Sequence, residues 1–255
     1  MEVVIDLRKS VPDNAKECYD QAKKYRGKLE GMQKAIADSK RKLESVAEEV
    51  HEQPKMRKRV ERRWYEKFRW FDSSDGFLVI GGKDATSNEI LIKKHLEPRD
   101  SVFHANVQGA PFFVVKNPEG KEVPQATVEQ AATASASYSK AWASGRGAAD
   151  VYSVRPEQIS KSPPAGEYLP KGAFMVYGEK TWHKGVRLEA AVGLVGGQVI
   201  GGPKEAIAAK TKEYVILGVG DVPQGALAKK IKLKLMEAEL DDIQRMMPPG
   251  EGRIV

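Results

Sequence analysis

The chain has 255 residues, 41% hydrophobic and 30% charged, with 42 Lys and Arg against 35 Asp and Glu for a net charge of +7. That is enough chain for one or two domains with a buried core, and the charged fraction suits a long solvated helix. One cysteine excludes a disulfide framework and a cysteine metal cluster. No apolar run reaches the roughly 18 residues of a membrane span, and the start, MEVVIDLRKSVPDNAK, lacks the apolar stretch of a signal peptide. The expected setting is therefore reducing and cytoplasmic, with no membrane.

The first element is a long helix over residues 13–52. Ala15, Cys18, Ala22, Tyr25, Leu29, Met32, Ile36, Ser39, Leu43, Val46 and Val50 recur at 3-4 spacing, the seam of a coiled coil. Asp13 is placed to cap it, and its length would be ~60 Å. Cys18 falls on the seam and reads as a small core residue. The helix carries 9 basic and 9 acidic residues, as expected of a solvated face of mixed sign.

Pro54 ends that helix, because proline disfavours helical backbone at the residue before it. Met56, Val60, Trp64 and Phe68 then resume helical spacing over 55–70, which predicts an antiparallel coiled-coil hairpin with a short second limb. A dimer of two chains would satisfy the same seam. Residues 55–69 hold 8 basic and 2 acidic side chains, a net of +6, so nearly all the charge imbalance sits here. Lys55, Arg57, Lys58, Arg59, Arg62, Arg63, Lys67 and Arg69 are candidate phosphate contacts. Of the interleaved rings, Trp64, Phe68 and Trp70 are expected to pack inward. Tyr65 is expected to stay outside, free to stack on a base.

From Asp72 the pattern changes. DSSDG is turn chemistry, Phe77–Ile80 reads as a buried strand, and Thr86–Glu89 reads as a capping box opening a helix to about Leu96. Val102–Val107 and Phe112–Lys116 read as paired strands joined near Gly109. Thr127–Gln130 reads as a second capping box, opening an Ala- and Ser-rich helix that stops at Gly145. Strands follow at Val151–Val154, Phe174–Tyr177, Arg187–Val195, Gln198–Ile200 and Tyr214–Leu217. A last helix is expected over Pro223–Met246, with Leu233, Met236, Leu240, Ile243 and Met247 on one face and a loose tail after it. The fold class is α+β: a long helical coiled-coil hairpin, then a mixed, largely antiparallel sheet with packed helices. The expected domains are an arm over 1–71, an α+β domain over 72–220, and a C-terminal helix and tail over 221–255.

No phosphate loop, nucleophile elbow or zinc-type histidine spacing occurs, so no cofactor, metal or catalytic residue is expected. Gly81-Gly82-Lys83-Asp84 is either a tight strand-to-helix turn, the ordinary case, or a phosphate cradle. Asp75, Asp84, Asn88, Glu89 and His104 would form one polar surface if their strands are adjacent. His104 alone reads more ordinarily as a satisfied core or edge histidine.

The runs WYEKFRWFDSSDGFLVIGGKDATSNEILIKKHL (64–96), VFHANVQGAPFFVVK (102–116), SYSKAWASG (137–145) and VRPEQISKSPPAGEYLPKGAFMVYGEK (154–180) resemble the NFACT-R domain of the NFACT family. Asp75, Asp84, Asn88, Glu89 and His104 lie within them. DLRKSVPDNAKECYDQAKKYRGKLEG (6–31) is similar to the start of that family's coiled-coil arm. Beyond about Val192 the likeness fades. The resemblance implies a ribosome-associated quality-control factor, not an enzyme. Such a factor would bind stalled large ribosomal subunits carrying peptidyl-tRNA. It would also support tRNA recruitment and C-terminal tailing of the nascent chain. Its arm would reach toward the stalk base, and NFACT-R would contact RNA. No counterpart of the family's NFACT-N and helix-hairpin-helix regions is expected within these residues. The other reading is a stand-alone nucleic-acid-binding module, with self-association through the coiled coil open in either case.

Overall fold

The structure, a computed structural model, describes residues 6, 8–49, 63–163 and 168–255. They fall into two units, Met1–Glu61 and Arg62–Val255, each taken by itself.

Among the described residues of the first unit there is one helix, α1 (Val11–Glu49), 39 residues and so ~58 Å long. Its start is capped by Ser10, whose hydroxyl accepts from the Asp13 amide at 3.3 Å; Asp13 sits in the first turn instead of at the cap. The seam residues Tyr25, Leu29, Met32 and Ile36 are all more than half exposed within this unit. The expected turn and most of the expected second limb, residues 50–62, lie outside the described residues.

The second unit corrects the rest of that limb. Residues 64–67 form a single 3-10 turn, followed by β1 (Arg69–Asp72). Trp70 and Phe71 point to opposite faces of a sheet that is covered on both sides. Two-sided burial of these aromatics suits a strand, and it overrides the 3-4 spacing carried over from residue 56. A hairpin turn with Gly76 in the left-handed region (φ +86°) leads to β2 (Leu78–Gly81). Then come α2 (Ala85–His95), β3 (Ser101–Ala105), β4 (Phe112–Val115), α3 (Gln125–Ser137), α4 (Lys140–Ala143), β5 (Ala148–Val154), β6 (Ile159–Ser160), β7 (Met175–Val176), β8 (Thr181–Arg187), β9 (Glu189–Val195) and β10 (Gln198–Gly202). The chain ends with α5 (Lys204–Ala208), β11 (Tyr214–Val222), α6 (Gln224–Lys234), α7 (Leu240–Met246) and β12 (Gly252–Ile254).

Strands β1-β2-β4-β3-β5-β8 form a six-stranded sheet, and β10-β9-β11-β12 a four-stranded one. Among the described residues every pairing is antiparallel, where a mixed, largely antiparallel sheet is expected. The expected strand Arg187–Val195 breaks at buried Leu188, where the chain leaves the first sheet for the second. One core lies between α3, the two sheets and the C-terminal helices; it contains Phe103, Phe113, Trp142, Ile231 and Met247. The other lies on the opposite face of the six-stranded sheet, under α2, around Phe68, Ile80, Leu91 and Val114.

Both expected capping boxes sit differently. The box of α2 is Asp84 with Ser87: the Asp84 carboxylate accepts from the Ser87 amide at 2.8 Å, and the Ser87 hydroxyl accepts from the Asp84 amide at 2.9 Å. Helix α3 opens at Gln125, behind Pro124. Thr127 and Gln130 are buried and hold the β1–β2 turn: the Thr127 hydroxyl lies 2.6 Å from Asp75, and the Gln130 carboxamide donates to Ser74 at 2.7 Å. The single C-terminal helix is two. Leu233 and Met236 are about four-fifths exposed, while Leu227, Ile231, Leu235 and Ala238 make the buried stripe. The expected loose tail is strand β12, paired with β11 and held by the Trp142 indole N–H donating to the Glu251 carbonyl at 2.7 Å.

Candidate nucleic-acid interface

Of the basic candidates, Lys55, Arg57, Lys58, Arg59 and Arg62 lie outside the described residues. Arg63 and Lys67 are exposed, flanking the 3-10 turn. Arg69 is turned inward: its guanidinium donates to the Met247 carbonyl at 3.1 Å and lies 4.5 Å from the centre of the Tyr138 ring. Burial lowers its pKa and pushes that of Tyr138 up to about 12. A guanidinium so placed ties β1 to the end of α7, and a phosphate would have to break that tie.

The two neighbouring rings exchange their expected places. Tyr65 is buried, with its hydroxyl accepting from Arg63 at 2.7 Å. Trp64 is 45% exposed and stacks in parallel on His95, centroids 4.3 Å apart and planes at 16°. Helical spacing put Trp64 on the inner face. A 3-10 turn, at three residues per turn, turns Trp64 out and Tyr65 and Phe68 in. Burial first, then repulsion from Lys67, Lys116 and Lys94, lowers the pKa of His95. The imidazole is thus a neutral plate in a positive field. A cleft of about 460 Å³ opens beside Trp64, lined among others by Phe77, Leu78, Lys116 and Lys121.

The five polar positions are brought into separate places. Asp75 lies in the turn before β2 and is held by Thr127, while Asp84 follows β2 and caps α2. Asn88 is buried and accepts from the Phe112 amide at 3.2 Å. Glu89 pairs with Lys93 at 2.6 Å and accepts from the Gly172 amide at 3.2 Å. His104 bonds through Nε2 to the Ala110 carbonyl at 3.1 Å. Asn88 and His104 do meet, at Phe112: Asn88 on its backbone and His104 4.5 Å from its ring. The Gly81–Asp84 turn resolves as packing. A Cβ on Gly82 would lie 1.9 Å from the Asn88 carboxamide oxygen, and one on Gly81 would lie 2.4 Å from the Phe113 ring. The space is filled, and a carboxylate already occupies the helix N-terminus, where it would repel a phosphate.

His104 has a measurable consequence. The residue is half-buried but its Nδ1 is sealed off and unpaired, and desolvation lowers its pKa from 6.5 to about 4. The folded state therefore holds the ring neutral while the unfolded chain takes up a proton below its ordinary pKa. The resulting stability is complete above about pH 6.5 and is lost as pH falls toward 4. Between pH 7 and pH 5 the wild type is expected to lose about 2 kcal/mol more than His104→Phe, which cannot titrate there. Urea unfolding at the two pH values checks it; equal losses would contradict the sealed imidazole.

Among the described residues no helix is long and apolar enough to cross a membrane, and no group of three or more His, Cys, Asp or Glu could hold a metal ion.

Residues 67–178 match the family model of the NFACT protein RNA binding domain. The chain is 42% identical over 216 residues to the archaeal Rqc2 homolog aRqcH of Methanocaldococcus jannaschii, covering 82% of this chain and 32% of that protein. It is 36% identical over 197 residues to the ribosome quality control complex subunit NEMF homolog of Drosophila melanogaster (76% of this chain, 20% of that one). It is 39% identical over 173 residues to the human ribosome quality control complex subunit NEMF (66% and 16%). The chain thus spans about a third or less of the length of these relatives.

Proposed function

Since this chain belongs to the NFACT family, through the RNA-binding domain that residues 67–178 match, we propose that it is the RNA- and ribosome-binding part of a ribosome quality-control factor. In this reading it binds stalled large ribosomal subunits that carry peptidyl-tRNA. It supports recruitment of tRNA and C-terminal tailing of the nascent chain. It acts by binding and positioning, while peptidyl transfer stays with the ribosome.

One observation carries the reading. The RNA-binding match falls on a unit whose first turn presents Trp64 stacked on His95, with Lys67 and Lys94 close to that imidazole, and this turn lies at the end of the segment that holds nearly all the excess charge. Cations supply affinity for phosphate whatever the sequence, and an exposed ring takes an unpaired base. The relatives' names support the ribosomal setting. The length of α1 suits reaching along a ribosomal surface toward the stalk base more than gripping a short oligonucleotide.

The test is co-sedimentation of the full chain with separated ribosomal subunits at moderate salt. Selective pelleting with large subunits is expected. Equal binding to any RNA or DNA, with no preference for a subunit, would reduce the reading to a general nucleic-acid-binding module.

A further inference from the structure

On the face of the six-stranded sheet away from α3, one row of rings crosses four adjacent strands. Phe112 in β4 stands opposite His104 in β3, His104 opposite Tyr152 in β5, and Tyr152 opposite Trp182 in β8. Successive centroids are 4.5, 5.5 and 5.5 Å apart. Phe174 meets Phe112 edge-on at 5.8 Å and extends the row at its inner end. The row runs from core to solvent: Phe112 is 3% exposed, Tyr152 8% and Trp182 42%. β8 is the edge strand, so among the described residues nothing in the sheet lies beyond Trp182.

Lysines top the row. Lys161 lies 4.9 Å over Phe174, Lys180 lies 4.5 Å over Tyr152, and Lys184 lies 4.5 Å over Trp182. Cross-strand aromatic pairs also stabilise sheets, which accounts fully for Phe112 and Tyr152. It accounts less well for a large ring left open at an edge with two ammonium groups beside it. Lys184 is also paired with Asp150 at 3.1 Å, but that pair is exposed and weak, and it can give way.

We propose that Trp182 is a stacking platform for an unpaired base of single-stranded RNA, with Lys180 and Lys184 meeting the phosphates on either side. An indole face accepts any base, but only an unpaired base offers a face in return. The proposal rests on the RNA-binding reading and goes beyond it, because residues 181–187 lie outside the matched segment 67–178.

The experiment titrates the full chain against a fluorescein-labelled oligouridylate and, separately, against an RNA duplex. Trp182→Ala is expected to weaken single-strand binding about tenfold or more, to leave duplex binding unchanged, and to leave the salt slope unchanged. Trp182→Phe keeps a ring and should restore most of the affinity. Lys180→Ala with Lys184→Ala should flatten the salt slope by about 1. If Trp182→Ala binds the oligouridylate as the wild type does, the platform is wrong and the RNA-binding reading stands. An equal loss on duplex would also overturn stacking. If the wild type binds neither RNA, both the reading and the platform fall.

Discussion

Reversing Arg59, Arg62 and Arg63 to Glu together is expected to weaken RNA binding by roughly two orders of magnitude at moderate salt and to reduce the slope of log K against log salt by about 2. Each phosphate neutralised by a side chain releases condensed counterions, contributing about 0.7 to the slope on a single strand. Removing three such cations therefore takes away about 2. The added negative charges repel the RNA backbone further. The segment 55–69 has a net charge of +6 in a chain of +7, so reversing three arginines brings the segment to zero and cancels nearly the whole electrostatic asymmetry. Arg63 also donates to the buried Tyr65 hydroxyl, so a fold effect must be separated from a charge effect. The triple Gln variant does this: it loses the same hydrogen bond but adds no repulsion, and it should fall between wild type and the Glu triple. Wild-type affinity and slope in the Glu variant would place the RNA-binding surface elsewhere.

Part of the sheet was legible in the sequence: the runs at Phe77–Ile80, Val102–Val107, Phe112–Lys116 and Tyr214–Leu217 fall on strands, and the second and third pair as expected, because short apolar runs bounded by turn residues specify strands. The failures are physical and local. Met56, Val60, Trp64 and Phe68 carry a helical period up to the point where Trp70 and Phe71 must each bury in a different core, and tertiary packing sets the backbone there. Near the C-terminus two stripes compete at the same spacing. Of the expected stripe, Leu233 and Met236 are exposed while Ile243 and Met247 are buried, and the buried residues before them are Leu227, Ile231, Leu235 and Ala238. The spacing was misleading because α6 ends at Lys234, so the register through Leu233 and Met236 does not carry on to Ile243 and Met247 in and after α7.

At the candidate interface the sequence located the charge and placed Phe68 and Trp70 inward, but assigned Trp64 and Tyr65 wrongly, and both errors have the same origin. Whether a ring faces water depends on the turn that carries it, which is why Trp64 and Tyr65 exchanged roles. The polar positions were legible as special and illegible as to purpose. Asp84 caps the exposed start of α2, while Asn88 and Thr127 satisfy groups that folding would otherwise bury unpaired. The row ending at Trp182 had no sequence signal, since its members are 112, 104, 152 and 182 and only the strand register brings them together.

Gly82→Val is expected to destabilise the Arg62–Val255 unit by about 3 kcal/mol or more while leaving RNA affinity of the folded fraction unchanged. The Gly82 backbone is not in the left-handed region, so the cost is one of space alone. The first side-chain carbon would lie 1.9 Å from the Asn88 carboxamide oxygen, closer than real carbons come, and 3.1 Å from the Asn88 Cα, which is tight. The carboxamide must leave, and the buried Phe112 amide then loses the acceptor it holds at 3.2 Å. An unsatisfied buried donor costs about 1–3 kcal/mol, and displacement of α2 from the end of β2 adds to it. Coupling identifies the cause. Gly82→Ala with Asn88→Ala should be clearly less destabilised than the sum of the single variants, because the second change clears the space the first needs. A phosphate cradle at Gly81–Asp84 requires the opposite result: RNA affinity would fall in Gly82→Ala with stability intact, and Asn88→Ala would rescue nothing. Urea unfolding and RNA titration on the wild type, the two single variants and the double variant separate the two accounts.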